Sequence, residues 1–158
     1  MAKTGVLFVD LGNICRSPMA EAVFNHIIKQ RAIADKWFAD SCGTGDFHLG
    51  KEPDARVIKV LKAHGIEIPS HKARLICDED YTKFEWILAM DQFNMSQVEE
   101  LASANSTAKI ALLGSFLNEG GNVSFDDPYY DKTDEGFENI YNKCSKCIQN
   151  FLDKNAKK

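Results

Sequence analysis

The sequence predicts an α/β fold, a single-domain doubly wound four-stranded parallel sheet with helices on both faces and an anion-binding loop after the first strand. Three observations predict it. Apolar runs short enough for strands alternate with longer segments whose apolar residues recur at helical spacing. The first run, Val6-Leu7-Phe8-Val9, is apolar throughout, as a strand covered on both faces requires. A Gly/Asn loop, Leu11-Gly12-Asn13, then separates that strand from the first helical pattern.

The elements follow in order. After Val6–Val9, the apolar residues Ala20, Val23, Phe24, Ile27 and Ile28 mark one face of a helix, with Ser17 as N-cap and Pro18 at its first position. Trp37 to Ser41 reads as the second strand. Asp54 to His64 reads as a helix ended by Gly65, the residue type favoured just past a helix C-terminus. Trp86 to Met90 forms the third strand and Met95 to Leu101 a helix. Lys109 to Leu113 is the fourth strand, and Asp134 to Lys154 the last helix. Gly120-Gly121-Asn122 is a loop within the domain, which spans residues 1–158.

At 158 residues the chain suffices for one domain with a real core. No apolar stretch reaches the length of a membrane span, and the N-terminus lacks a secretory apolar segment. Five cysteines, an odd number, suit a reducing cytoplasm. Cys144 and Cys147 form a Cys-x-x-Cys, but they fall in the periodic pattern Phe137, Ile140, Tyr141, Cys144, Ile148, Phe151 and read as buried helix residues. No second ligand pair accompanies them, so no metal is expected. A net charge of −4 argues against nucleic acid as partner and makes any attraction for an anion local.

That local attraction is concentrated in Asp10-Leu11-Gly12-Asn13-Ile14-Cys15-Arg16-Ser17. A tight loop leading into a helix N-terminus converges its N–H groups on one point. The helix dipole adds positive potential, and Arg16 adds a planar fork of donors. Such a loop is a socket for a tetrahedral oxyanion. Asn13 suits a left-handed backbone angle that would turn its neighbours' amides inward.

The run Val-Leu-Phe-Val-Asp-Leu-Gly-Asn-Ile-Cys-Arg-Ser-Pro resembles the signature of the low-molecular-weight protein tyrosine phosphatases, apart from Asp10. Asp126-Asp127-Pro128-Tyr129-Tyr130 resembles the family's second signature, and Ser70-His71 and Ala89-Met90-Asp91 resemble family segments between the two. The resemblance covers essentially the whole chain. It implies phosphomonoester hydrolysis through a phosphocysteine intermediate, with no cofactor. Leu11, Gly12, Asn13, Ile14, Cys15 and Arg16 would hold the phosphate, and Ser17 would assist the leaving sulfur. Asn13 would tie to Ser17 and His71 in a supporting network. Asp127 would protonate the leaving phenolate. Phe47, Tyr129 and Tyr130 would form the rim around a substrate ring, whereas His26, His48 and His64 read as structural. The implied partners are phosphotyrosine proteins or small aryl phosphates, with inorganic phosphate as product or inhibitor.

Asp10 stands where the family pattern places the attacking cysteine. A carboxylate keeps the negative charge but projects an oxygen one bond further into the socket, where it would accept the loop N–H groups and the Arg16 fork. A low-pKa carboxylate is also a poor nucleophile, so the chain is expected to be nearly inactive. With Asp10 opposite it, Cys15 has no redox partner in the loop. Three origins fit the aspartate: an engineered replacement, a natural pseudophosphatase that binds phosphotyrosine or a partner, and a cysteine oxidised to the sulfinic level and written as aspartate. Two other classes compete with this reading. Arsenate reductases need two further cysteines near mid-chain, where only Cys77 lies. A phospho-receiver could use Asp10, Asp91 and Lys109, but it needs an acidic pair for magnesium and has no use for Arg16-Ser17.

Overall fold

Asp10 ends one of the two inner strands of a four-stranded parallel sheet, at the strand end where ligands of open α/β sheets bind. The computed structural model describes residues 2–68, 70–117 and 124–155. The predicted Gly120-Gly121-Asn122 loop and the last three lysine-tail residues lie outside them. The strands are β1 (Thr4–Asp10), β2 (Trp37–Gly43), β3 (Trp86–Ala89) and β4 (Lys109–Leu112), in spatial order β2-β1-β3-β4. The helices are α1 (Arg16–Gln30), α2 (Ala55–Ala63), α3 (Asp80–Lys83), α4 (Gln92–Leu101) and α5 (Glu135–Asn155), with a 3₁₀ turn at Leu113–Leu117. The short α3 was not legible as a helix, since four residues cannot display a period.

Alternation along β1 separates two cores. Val6 and Phe8 pack with α1 and α5, in a cluster that includes Phe24, Trp37 and Phe151 joined edge to face. Leu7 and Val9 point the other way, to Tyr81, Phe84 and Val98 of the α3 and α4 layer. Cys144 and Cys147 are both buried on the inward face of α5, as the helical spacing predicts. The described cysteines are all free thiols.

Local signals set several boundaries. Asp54 caps α2 by accepting from the Arg56 N–H, and Gly65 follows it with φ +69°. Asp91 caps α4 through the Asn94 N–H, so that helix starts at Gln92, three residues before the sequence pattern places it. The start of α1 also differs from expectation. It begins at Arg16, with Cys15 rather than Ser17 at the N-cap and no side-chain cap. Ser17 does not act as a cap because its Oγ is turned into the loop, where it accepts from Asn13 Nδ2 and donates to Asp10.

Candidate active site

The order β2-β1-β3 places a topological switch point between the ends of β1 and β3. The Asp10–Ser17 loop leaves one side of it and Asp91 caps α4 on the other. Arg16 Nη1 bridges them at 2.7 Å from Asp91 Oδ2, and also donates to the Phe125 carbonyl at 2.9 Å. Arg16 Nη2 lies 3.6 Å from Asp127 Oδ2. One buried guanidinium thus ties the loop to the strand β3 end and to the Asp126–Tyr130 segment. Arg16 Nε is buried and has no partner among the described residues. Burial disfavours its charge, but Asp10, Asp91 and Asp127 outweigh that and hold the guanidinium above its ordinary value.

The loop itself closes on Asp10. Asn13 takes a left-handed backbone, φ +59°, and its N–H donates to Asp10 Oδ1 at 2.7 Å. The Ser17 hydroxyl donates to the same oxygen at 2.7 Å, and the Ser17 N–H donates to Oδ2 at 3.0 Å. The carboxylate is 2% exposed. Burial pushes its pKa above the ordinary carboxylate value, against the pull of Arg16 and of the Ser17 and Asn13 hydrogen bonds. Asp10 is thus neither the low-pKa carboxylate that the sequence suggests nor gripped by the Arg16 fork. Asp10 takes loop amides, but Arg16 directs its terminal nitrogens to Asp91, Phe125 and Asp127 instead.

Behind the loop, Asn13 is the hub. Its Nδ2 donates to Ser17 Oγ at 2.9 Å and Ser41 Oγ at 3.0 Å. Its Oδ1 accepts from the Arg74 N–H at 3.0 Å, which fixes the orientation of the amide. His71 Nε2 lies 2.7 Å from that same oxygen and must therefore carry a proton. The Ser41 hydroxyl donates to Glu21 Oε1 at 2.7 Å, and His71 Nδ1 is 3.5 Å from both Glu21 and Asp40. Arg74 closes the network by bridging Asp40 and Asp80 at 3.0 Å each. Gly43, ending β2, allows this close approach, since a Cβ there would sit 2.5 Å from the Leu11 carbonyl oxygen.

In front of the loop is a cleft of about 340 Å³. Asp10, Leu11, Gly12, Ile14 and Cys15 form its floor. Phe47, His48, Tyr129, Tyr130 and Asp127 form its sides. Phe47 is 66% exposed and Tyr130 90%, and the two tyrosine rings meet edge to face at 4.8 Å. Asp127 Oδ1 accepts from the Tyr129 N–H at 3.1 Å. Burial, with the carboxylates of Asp54, Asp10 and Asp127 nearby, pushes the Cys15 thiol far up, so it is held neutral.

The structure thus brings Asp10, Arg16, Ser17, Asn13, His71, Asp127 and the three rim aromatics to one place. Sequence reasoning missed others. His48, read as structural, lines the cleft with its ring 5.2 Å from Tyr129. Ser41, Glu21, Asp40 and Arg74 had no assigned part, and Asp91 entered only the phospho-receiver alternative. The family-like segment Ala89-Met90-Asp91 was the one signal that could have raised Asp91. Among the described residues a phospho-receiver arrangement is absent. Asp91 is engaged by Arg16, and Lys109 reaches Glu85 at 3.9 Å instead of Asp10. Among the described residues, the one group of three close acidic and histidine ligand atoms is Glu21, Asp40 and His71, behind the loop.

The family model for low molecular weight phosphotyrosine protein phosphatase matches residues 5–158. The chain is 42% identical over 155 residues to the Homo sapiens low molecular weight phosphotyrosine protein phosphatase, covering 97% of this chain and 96% of that protein. It is 40% identical over 150 residues to low molecular weight phosphotyrosine protein phosphatase 2 of Drosophila melanogaster, covering 95% and 91%. Among solved structures it superposes on DARP, a drosophila arginine phosphatase, with a TM-score of 0.90 and 38% identity over 94% of this chain and 96% of that one. A match of this extent shows that the chain belongs to the low molecular weight phosphotyrosine protein phosphatase family.

Proposed function

We propose that this chain has the substrate cleft of a protein tyrosine phosphatase but does not turn substrate over, because Asp10 occupies the attacking position. The observation that carries this reading is the hydrogen bonding of the Asp10 carboxylate to the Asn13 N–H, the Ser17 N–H and the Ser17 O–H. In-line attack on phosphorus needs an unencumbered, polarisable nucleophile. A carboxylate oxygen tied down by three donors is neither. Cys15 cannot substitute, since its thiol is held neutral beside carboxylates. Among the described residues, Asp10 belongs to no group of close acidic or histidine ligand atoms that could hold the metal ion aspartyl-phosphate chemistry generally uses.

The other roles follow from placement. Arg16 would hold equatorial phosphate oxygens and stabilise the charge they gain in the transition state. Asp127, on the rim and within 3.6 Å of Arg16, would protonate the leaving phenolate. Ser17 would donate to the leaving nucleophile, while Asn13 and His71 keep the loop in shape. Phe47, Tyr129 and Tyr130 offer faces to a planar ring, which favours an aryl side chain over the phosphorylated arginine side chain suggested by the name of the drosophila relative. The five free cysteines suit a reducing cytoplasm. With catalysis disarmed, what remains is a binding module. No helix of the described residues is long and apolar enough to cross a membrane.

Asp10→Cys is the direct test. It should turn an almost dead protein into an efficient, metal-independent p-nitrophenyl phosphatase, since every other group is of the right type. Failure of the restored protein to hydrolyse this substrate would mean that the site is misassigned. Comparable hydrolysis by the unmodified chain would mean that Asp10 does not disarm it.

A further inference from the structure

The segment that carries Asp127 is held at both ends. Arg16 holds its start, at the Phe125 carbonyl. Its far end is held from α2 by Arg56, which lies outside both the anion loop and the aromatic rim. Arg56 Nη2 donates to the Tyr129 carbonyl at 2.9 Å, and Nη1 donates to the Asp131 carbonyl at 3.2 Å. The guanidinium is itself fixed. Its Nε and Nη2 form a two-pronged pair with the Asp54 carboxylate, 3.0 Å for each prong, and its face lies 4.4 Å from the centre of the Phe137 ring. Asp54 then carries the link to the anion loop, since its backbone N–H donates to the Ile14 carbonyl at 2.8 Å. One continuous chain therefore runs from Ile14 through Asp54 and Arg56 to Tyr129. Tyr129 completes it, because its own N–H donates to Asp127 Oδ1 at 3.1 Å.

We propose that Arg56 is a positioning residue for the aryl phosphate hydrolysis that a cysteine at position 10 would support. Through its hold on Tyr129 and Asp131 it sets the distance between the anion loop and the Asp127 carboxyl. Proton donation to a leaving oxygen falls steeply with misplacement, so an ångström of play in this segment should cost about 10- to 100-fold in rate. Lysine cannot take over the task. A single ammonium lacks the planar fork that meets one carboxylate and two carbonyls together. This role rests on the reading of Asp127 as the acid.

The test uses the Asp10→Cys protein and a series of substituted phenyl phosphates whose leaving phenols differ in acidity. In that parent, kcat/KM should depend little on phenol acidity, because the acid protonates the departing oxygen. Arg56→Met should make the dependence steep, with a loss of about 10- to 100-fold for phenyl phosphate and under about threefold for p-nitrophenyl phosphate. Added to Asp127→Ala, it should cost less than about threefold more, since both act through one group. Arg56→Lys should not restore the parent's behaviour. Asp54→Asn keeps an N-cap for α2 while loosening the grip on Arg56, and it should shift the dependence the same way but less. In the unmodified chain, Arg56→Met should speed exchange of the Tyr129 and Asp131 amide protons several-fold and leave the amides of α1 unchanged. A loss equal across the series, losses that multiply in the double variant, or unchanged amide exchange would each overturn the proposal. An inactive Asp10→Cys parent would instead overturn the phosphatase reading, and exchange in the unmodified chain would still decide whether Arg56 holds the segment.

Discussion

The two sides of the Asp10–Ser17 loop are built differently. Behind it, Asn13, Ser41, Glu21, His71, Asp40 and Arg74 form a continuous network in which each side chain meets another. In front of it, Asp10 has acceptor capacity left over, Arg16 Nε has no partner among the described residues, and Phe47 and Tyr130 on the rim are largely exposed. Asn13 belongs to both sides, with its side chain behind and its N–H in front. The rear is a closed polar lattice that holds the backbone in an otherwise unfavourable turn, whereas the front is left open for a ligand. A substitution at the front therefore alters chemistry while the rear keeps the loop shape.

The largest expected effect lies at the front. In an Asp10→Cys background, Asp127→Ala should slow phosphotyrosine hydrolysis by about 10²–10⁴-fold, the range for a lost general acid. A change of only a few-fold would move the acid to another residue, with Asp126 first. Steady-state kinetics on a phosphotyrosine peptide decides it.

The next effect tests the rear. Asn13→Ala removes the hub, leaves buried groups of Ser41, Arg74 and His71 short of a partner, and puts alanine at φ +59°. Urea unfolding should show a loss of about 3 kcal/mol, from orphaned buried groups and a left-handed backbone. A loss under about 1 kcal/mol would mean that the network does not hold the loop.

A smaller effect comes from emptying the floor. Asp10→Ala frees the Asn13 and Ser17 amides and removes a like charge. A unit-charge repulsion at about 4 Å is roughly 4 kcal/mol at an effective dielectric near 20, an upper bound that solvent reduces. Even a quarter of it should make phosphate or vanadate bind several-fold more tightly to the alanine variant near neutral pH. Equal affinities by calorimetry would mean that Asp10 does not compete with the anion.

The smallest effect concerns acid stability behind the loop. Burial works against ionisation of Asp40, but hydrogen bonds from His71 and Ser41, together with Arg74, outweigh it and bring its pKa to about 2. A folded value below the unfolded one, about 3.9, stabilises the fold fully above about pH 4, and this contribution disappears as pH falls toward 2. The melting-temperature gap between the unmodified chain and Asp40→Asn should therefore narrow across that window. A gap independent of pH would remove Asp40 from the network's electrostatics.

Sequence by itself determined what depends on near neighbours. The uniform apolar run of β1, the helical periods of α1 and α5, the Asp54 cap, Gly65 and the left-handed Asn13 are all set within a few residues, where propensity and pattern act. The anion socket was legible for the same reason, since Asp10, Asn13 and Ser17 contact one another within eight positions. Even there, local reasoning placed Ser17 as a helix cap, because the competing acceptor on Asp10 could not be weighed without geometry. Only the tertiary structure decided that Arg16 turns to Asp91 and Asp127, 75 and 111 residues away, that His48 joins the rim, and that Glu21, Asp40 and Arg74 stand behind the loop. The parallel sheet is the physical reason. Its crossovers bring distant strand ends together at one edge, and an isolated charge in the sequence carries no sign of which partner will meet it there.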